Sequence, residues 1–139
     1  VQQLTPITNV DQLQKAFSHN KSWDAQYRLI IQLGKKLDSF PEQLKLEQHQ
    51  VKGCESLAWL VTTEENGVYD FKMDSDTRVV KGLMKIIWLI FQGKTKQQIE
   101  DIDYQDLFAQ LGLLNHLSPS RANGLFAIIN TIKGVNSID

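Results

Sequence analysis

Apolar residues recur in this chain at two different periods, and the switches between them predict an order of helices and strands. Val10, Leu13 and Phe17 fall three and four positions apart, the spacing of one helix face, and Thr8 stands where an N-cap belongs. After the polar turn His19-Asn20-Lys21, Ser22 restarts the pattern. Trp23, Tyr27, Ile30, Ile31 and Gly34 then form a second stripe. It predicts a helix that lays this face on a core, ends near Leu37 and admits a close neighbour at Gly34. Pro41 and the polar run from Glu42 to Gln50 interrupt the periodicity.

Leu57 to Thr63 and Val68 to Met73 are rich in β-branched and aromatic residues, with Asn66-Gly67 between them. That combination predicts an antiparallel hairpin. A turn at Asn66-Gly67 pairs Leu60 with Met73 and Thr62 with Phe71, leaving one largely apolar face for helices to cover. His49-Gln50-Val51 reads as a third, shorter strand, which places Cys54 in a loop joining two strands. Asp74-Ser75-Asp76 then caps a central helix through Val79, Val80, Leu83, Ile86, Ile87, Ile90 and Phe91, closed by Gly93.

Thr95 with Gln98 reads as a capping box, Asp103 opens a helix that stops at Gly112, and Ser118-Pro119 supplies a cap and an N1 proline. The last helix runs through Leu125, Ile128, Ile129 and Ile132 to Gly134. This order predicts an α+β fold, a small antiparallel sheet of about three strands packed against several helices. A chain of 139 residues without repeat, low-complexity tract or linker is expected to form one domain, 1–139.

Composition narrows the function classes. Hydrophobic residues make up 42% of the chain and charged residues 22%, the profile of a globular protein. Fifteen basic against sixteen acidic residues leave a net charge of −1, so no global field draws nucleic acid or an acidic membrane. The longest apolar run, Ile86 to Phe91, falls far short of the roughly 20 residues of a membrane span. Val1 to Asp11 lacks the basic and apolar regions of a signal peptide. A cytoplasmic, reducing compartment is the expectation.

Candidate chemistry concentrates on Cys54, the only cysteine, in Val51-Lys52-Gly53-Cys54-Glu55-Ser56. Glycine before it and charges within two positions on either side are unusual for a core thiol. Free cysteine is nevertheless among the most buried residue types, so the residues alone leave two readings, a reactive thiol or an inert one. With no second cysteine, sulfur chemistry at Cys54 must be completed by another molecule. Lys52 and His49 nearby, and His116 and Arg121 from a distant segment, are the charges that could favour a thiolate.

Arg121 falls in the first turn of its helix, where the dipole disfavours a cation, which points to a specific partner, an internal carboxylate or another protein. Asp74 and Asp76 read as helix caps rather than an acid/base pair. His19, His49 and His116 with Cys54 do not have zinc spacing, and neither a phosphate-binding glycine loop nor a serine-nucleophile motif is present. No cofactor of its own is expected.

Four blocks, in order, resemble the SufE/CsdE sulfur-acceptor proteins over nearly the whole chain. They are Trp23-Asp24-Ala25-Gln26-Tyr27 with Leu33-Gly34, and Gly53-Cys54-Glu55-Ser56 running into Trp59-Leu60-Val61. Asp74-Ser75-Asp76 leading to Val80-Lys81-Gly82-Leu83 follows, then His116-Leu117-Ser118-Pro119-Ser120-Arg121 with Gly124-Leu125. Glu65-Asn66-Gly67 and Gly93-Lys94-Thr95 look more like CsdE, and the segment Leu117 to Arg121 more like SufE.

The resemblance implies a fold related to the IscU/NifU-like iron–sulfur scaffolds and a docking partner, a SufS/CsdA-like cysteine desulfurase that itself holds pyridoxal phosphate. It implies that Cys54 carries persulfide sulfur to a downstream acceptor or cluster scaffold and that the desulfurase is stimulated; around that thiol, Gly53, for its backbone freedom, and Glu55, His116 and Arg121 are the candidate supporting residues. A single cysteine departs from scaffold chemistry, because a cluster needs several thiolates. Self-association as a homodimer is left open. The rival from another class is a non-catalytic adaptor with Cys54 structural. Hydrolysis by Cys54 and His116 stands third, for want of an orienting residue.

Overall fold

The structure, a computed structural model, describes residues 7–134, apart from the side chain of His116. Helix α1 spans Val10–His19 and buries Leu13 and Phe17. Its N-cap is Asn9, whose side chain accepts from the Gln12 N–H at 2.8 Å. Thr8, expected in that role, sits one residue too early and instead donates its N–H and hydroxyl to the Gln12 side chain. Ser22 caps α2, Trp23–Gly34, as expected, and turn hydrogen bonds carry the chain on to Leu37.

Strands β1, Ala58–Glu65, and β2, Val68–Ser75, pair antiparallel with Leu60 opposite Met73 and Thr62 opposite Phe71. The register follows from the turn. Asn66 and Gly67 both take positive φ, 55° and 81°, the conformation of a two-residue type I′ connection. The expected strand at His49-Gln50-Val51 is replaced by a 3₁₀ turn, Glu47–His49, and a lone bridge from Gln50 to Trp59. The third strand is β3, Lys94–Thr95, on the other side of β2. Cys54 therefore precedes the sheet in a loop that leads into β1.

Helix α3, Arg78–Phe91, is the centre of the molecule. Eleven of its fourteen residues are buried, the all-round burial of a helix enclosed on every side. It packs on α2, on β2, on α1 and on α6, Pro119–Lys133. Helices α4, Lys96–Asp101, and α5, Tyr104–Leu111, complete the layer with the expected capping box at Thr95 and Gln98, the Asp103 cap and the left-handed Gly112. The α+β reading holds.

Two expectations are corrected by α2 and α3. Gln26 and Leu33 join Ile30 and Gly34 in the buried stripe of α2, while Trp23 and Tyr27 are 52% and 43% exposed. The stripe points the predicted way, but α3 makes its tightest approach at Ile30 and Gly34, a turn or more further along. Thr77, not Asp74 or Asp76, is the N-cap of α3. Asp74 pairs instead with Lys81 of the following helix at 3.6 Å and with Lys45, brought from a distant segment, at 3.2 Å.

Candidate functional site

The Cys54 loop is gripped at its neck. The Val51 N–H donates to the Ala58 carbonyl at 2.9 Å, and the Leu57 carbonyl accepts from the Ser75 hydroxyl at 2.6 Å and the Asp76 N–H at 3.2 Å. Within the loop, Ser56 Oγ accepts from Thr77 Oγ1 at 2.9 Å and from Arg121 Nη1 at 3.4 Å. Lys52 and Gly53 form a turn, and Lys52 to Glu55 make no hydrogen bond to a side chain or to another described segment. The tip that carries the thiol is thus held by its neighbours rather than by bonds of its own.

Cys54 is half-buried and rests against the apolar core. Its Sγ lies over α6, where a Cβ added to Gly124 would come within 3.3 Å of the sulfur. Three residues further along the same helix, Ala127 Cβ sits 3.5 Å from where a Cβ on Gly53 would fall. Gly53 itself has φ +88°, a conformation other residues rarely adopt. Two glycines therefore fix the sulfur's seat, one by turning the chain and one by leaving space beneath the atom.

Of the residues expected to support the thiol, the structure brings Gly53 and Arg121 to the loop. Arg121 is half-buried, and its partner is the Ser56 hydroxyl, not the carboxylate anticipated as an internal partner. Glu55 and Lys52 are exposed. His49 is turned away, its Nδ1 2.8 Å from the Leu44 carbonyl of its own segment. His116 closes a 3₁₀ turn, Leu113–His116, and its side chain lies outside the described residues. Sequence reasoning missed Ser56, Thr77 and the seat at Gly124. Ser56 and Gly124 lie inside the resembling blocks, which were the available signal.

The segment leading to the loop is tied down by charge. Lys45 bridges Glu42 at 3.3 Å and Asp74 at 3.2 Å, and its ammonium stands 5.3 Å from the centre of the Trp59 ring. Hydrogen bonds to Asp74 and then Glu42 hold its pKa above the ordinary lysine value. Among the described residues no group of three or more His, Cys, Asp or Glu is placed to hold a metal ion, and no described helix is long and apolar enough to cross a membrane.

Comparison with known proteins adds to this geometry. The SufE model, described as an Fe-S metabolism associated domain, matches residues 11–135. An uncharacterized SufE-like protein of Rhizobium meliloti is 40% identical over 131 residues, covering 91% of this chain and 94% of the relative. A second, from Rhizobium etli, is 34% identical over 131 residues and covers 91% and 88%. The solution structure of a hypothetical protein from Thermus thermophilus superposes with a TM-score of 0.72 at 15% identity, covering 92% of this chain and 93% of that one, which shows the shared fold. The chain belongs to the SufE family of Fe-S metabolism associated domains.

Proposed function

We propose that the chain is a sulfur carrier that docks on a cysteine desulfurase in the cytoplasm, takes sulfane sulfur on Cys54 and passes it to a downstream acceptor or iron–sulfur scaffold. The observation that carries this reading is the seat of Cys54. The sole thiol stands on a loop tip without hydrogen bonds to other described segments, half-sheltered over Gly124 and tethered through Ser56.

The chemistry balances as thiol–disulfide exchange does. The Cys54 thiolate attacks the outer sulfur of the desulfurase's cysteine persulfide. A new S–S bond forms at Cys54, the donor S–S bond breaks, and the donor cysteine leaves as a thiolate. Cys54 rises to the persulfide oxidation level as the donor cysteine returns to a thiolate, so the pair needs no outside oxidant. Cleavage of the C–S bond of free cysteine belongs to the desulfurase, which holds the pyridoxal phosphate. Because the carrier has one cysteine, its persulfide cannot be resolved into an internal disulfide and survives until an acceptor thiol arrives.

Partial burial protects a persulfide from solvent thiols and oxidants, and delivery requires the tip to leave its seat. A loop held at its neck by backbone bonds, and further out by one serine, can swing without unfolding the sheet. The test is alanine production by the desulfurase with excess cysteine. Addition of the native protein is expected to raise turnover, and Cys54→Ser to abolish the increase. If Cys54→Ser stimulates as well as the native protein, the adaptor reading, in which Cys54 only packs, replaces this one.

A further inference from the structure

The exposed stripe of α2 borders a surface feature that the sulfur chemistry leaves unused. Trp23 and Tyr27 stack with ring centroids 5.3 Å apart on the outside of the molecule. Beside them lies a groove of about 500 Å³ between α2, the start of α3 and the start of α6. It continues into a smaller hollow of about 200 Å³ that shares Tyr27, Val79 and Arg121 and takes in Trp23.

The charge of the larger groove is one-sided. Arg28, Lys35, Arg78 and Arg121 line it, and no acidic side chain does. Among the described residues none of these four has a carboxylate within ion-pair distance; the ion pairs found there involve only Lys45 and Lys81. Four cations on one groove stand out on a chain whose net charge is −1. The first turn of α3 also opens here through Thr77, Arg78 and Val79, with no side-chain cap on its N–H groups.

We propose that this groove is the docking site for an acidic surface segment of the cysteine desulfurase, with an apolar side chain of that segment seated against Trp23 and Tyr27. The inference rests on the sulfur-carrier reading and adds the surface by which the carrier recognises its donor. Charge complementarity selects an acidic occupant, and exposed tryptophan, tyrosine and arginine are the residue types in which binding energy concentrates. Continuity with the site selects the desulfurase. Arg121 belongs to both the groove and the Cys54 loop, through its bond to Ser56.

Affinity of the purified desulfurase from the same genome for the full chain, measured by titration calorimetry at two salt concentrations, tests the assignment. The double variant Arg28→Glu/Arg78→Glu changes two exposed side chains and is expected to weaken binding at least about tenfold and to flatten its salt dependence. Trp23→Ala is expected to weaken binding at either salt concentration. Lys96→Glu, an exposed charge reversal on α4, is the control and is expected to bind like the native protein.

If the native protein loads sulfur and the double variant binds within roughly twofold of it, the groove assignment is wrong and the carrier reading stands. If the native protein neither binds nor accepts sulfur, both fall together. Tight binding of inorganic phosphate that the double variant abolishes, with desulfurase binding unchanged, would also overturn the proposal and make the groove a site for free oxyanions.

Discussion

Two places in this molecule are built on glycine, and they hold their neighbours in opposite ways. Where α2 crosses α3, a Cβ on Gly82 would overlap the backbone carbonyl of Ile30, and one on Gly34 would come 2.8 Å from the backbone nitrogen of Gly82. Backbone meets backbone there, and neither side can yield. Where the Cys54 loop meets α6, a Cβ on Gly124 would meet only the sulfur, at 3.3 Å. A side-chain tip on a tethered loop can give way. The crossing is a fixed joint and the loop a seated one, and the second property suits the persulfide carriage proposed for Cys54.

The largest effect that separates them is expected from Gly82→Ala. Added bulk against an unyielding carbonyl is predicted to cost about 3 kcal/mol or more, read as a collapse of the urea midpoint or failure to fold. A small change there would mean the crossing relaxes and the contrast fails.

Gly124→Ala makes the same chemical change at the other place and is expected to leave stability within about 1 kcal/mol, since alanine also favours the helix. Its consequence should appear at the thiol, as faster alkylation of Cys54 by a small reagent, because the sulfur is pushed off its seat. Unchanged alkylation together with a large loss of stability would show the loop to be as rigid as the crossing.

Arg121→Ala removes one of two bonds to Ser56. It is predicted to cost about 1 kcal/mol or less and to raise the alkylation rate less than Gly124→Ala does.

The smallest change is expected on the scaffold side. Lys85 is a buried lysine of α3, its ammonium 4.2 Å from the centre of the Trp88 ring. Burial pushes its pKa below the ordinary value, against a weaker opposing pull from Asp38. Between the lowered and the ordinary lysine pKa the unfolded chain binds more protons than the folded one, so native stability rises with pH through that window. Lys85→Met is predicted to remove this alkaline rise while changing neutral-pH stability by less than about 1 kcal/mol, as followed by melting temperature from neutral to alkaline pH. The Cys54 alkylation rate should not change.

What the sequence made legible follows the same division. The hairpin register was readable because Asn66-Gly67 fixes it within a few residues, and Ser22, Asp103 and Ser118 act on N–H groups three positions away. Gly34 was readable as a close approach, although its partner Gly82 was not. The third strand was misplaced because a two-residue pairing of Lys94–Thr95 with Val68 and Tyr69 has no periodicity to read.

Of the candidate site, the sequence offered Cys54, the glycine before it and Arg121 as a distant charge, but not how they meet. The bonds that hold the loop join residues 21 and 65 positions apart, Ser56 to Thr77 and to Arg121, and nothing local encodes them. Trp23 and Tyr27 illustrate a further limit. Their spacing gave the face of the helix, but exposure depends on where α3 starts, and the groove beside them exists only because α3 and α6 begin there.

Sulfur is proposed to travel on the Sγ of Cys54, and intact-mass analysis tests this most directly. Native protein incubated with the desulfurase and cysteine, then separated without reductant, should gain the mass of one sulfur atom, and Cys54→Ser should gain none. No added mass on the native protein, or equal addition to both, would contradict the account.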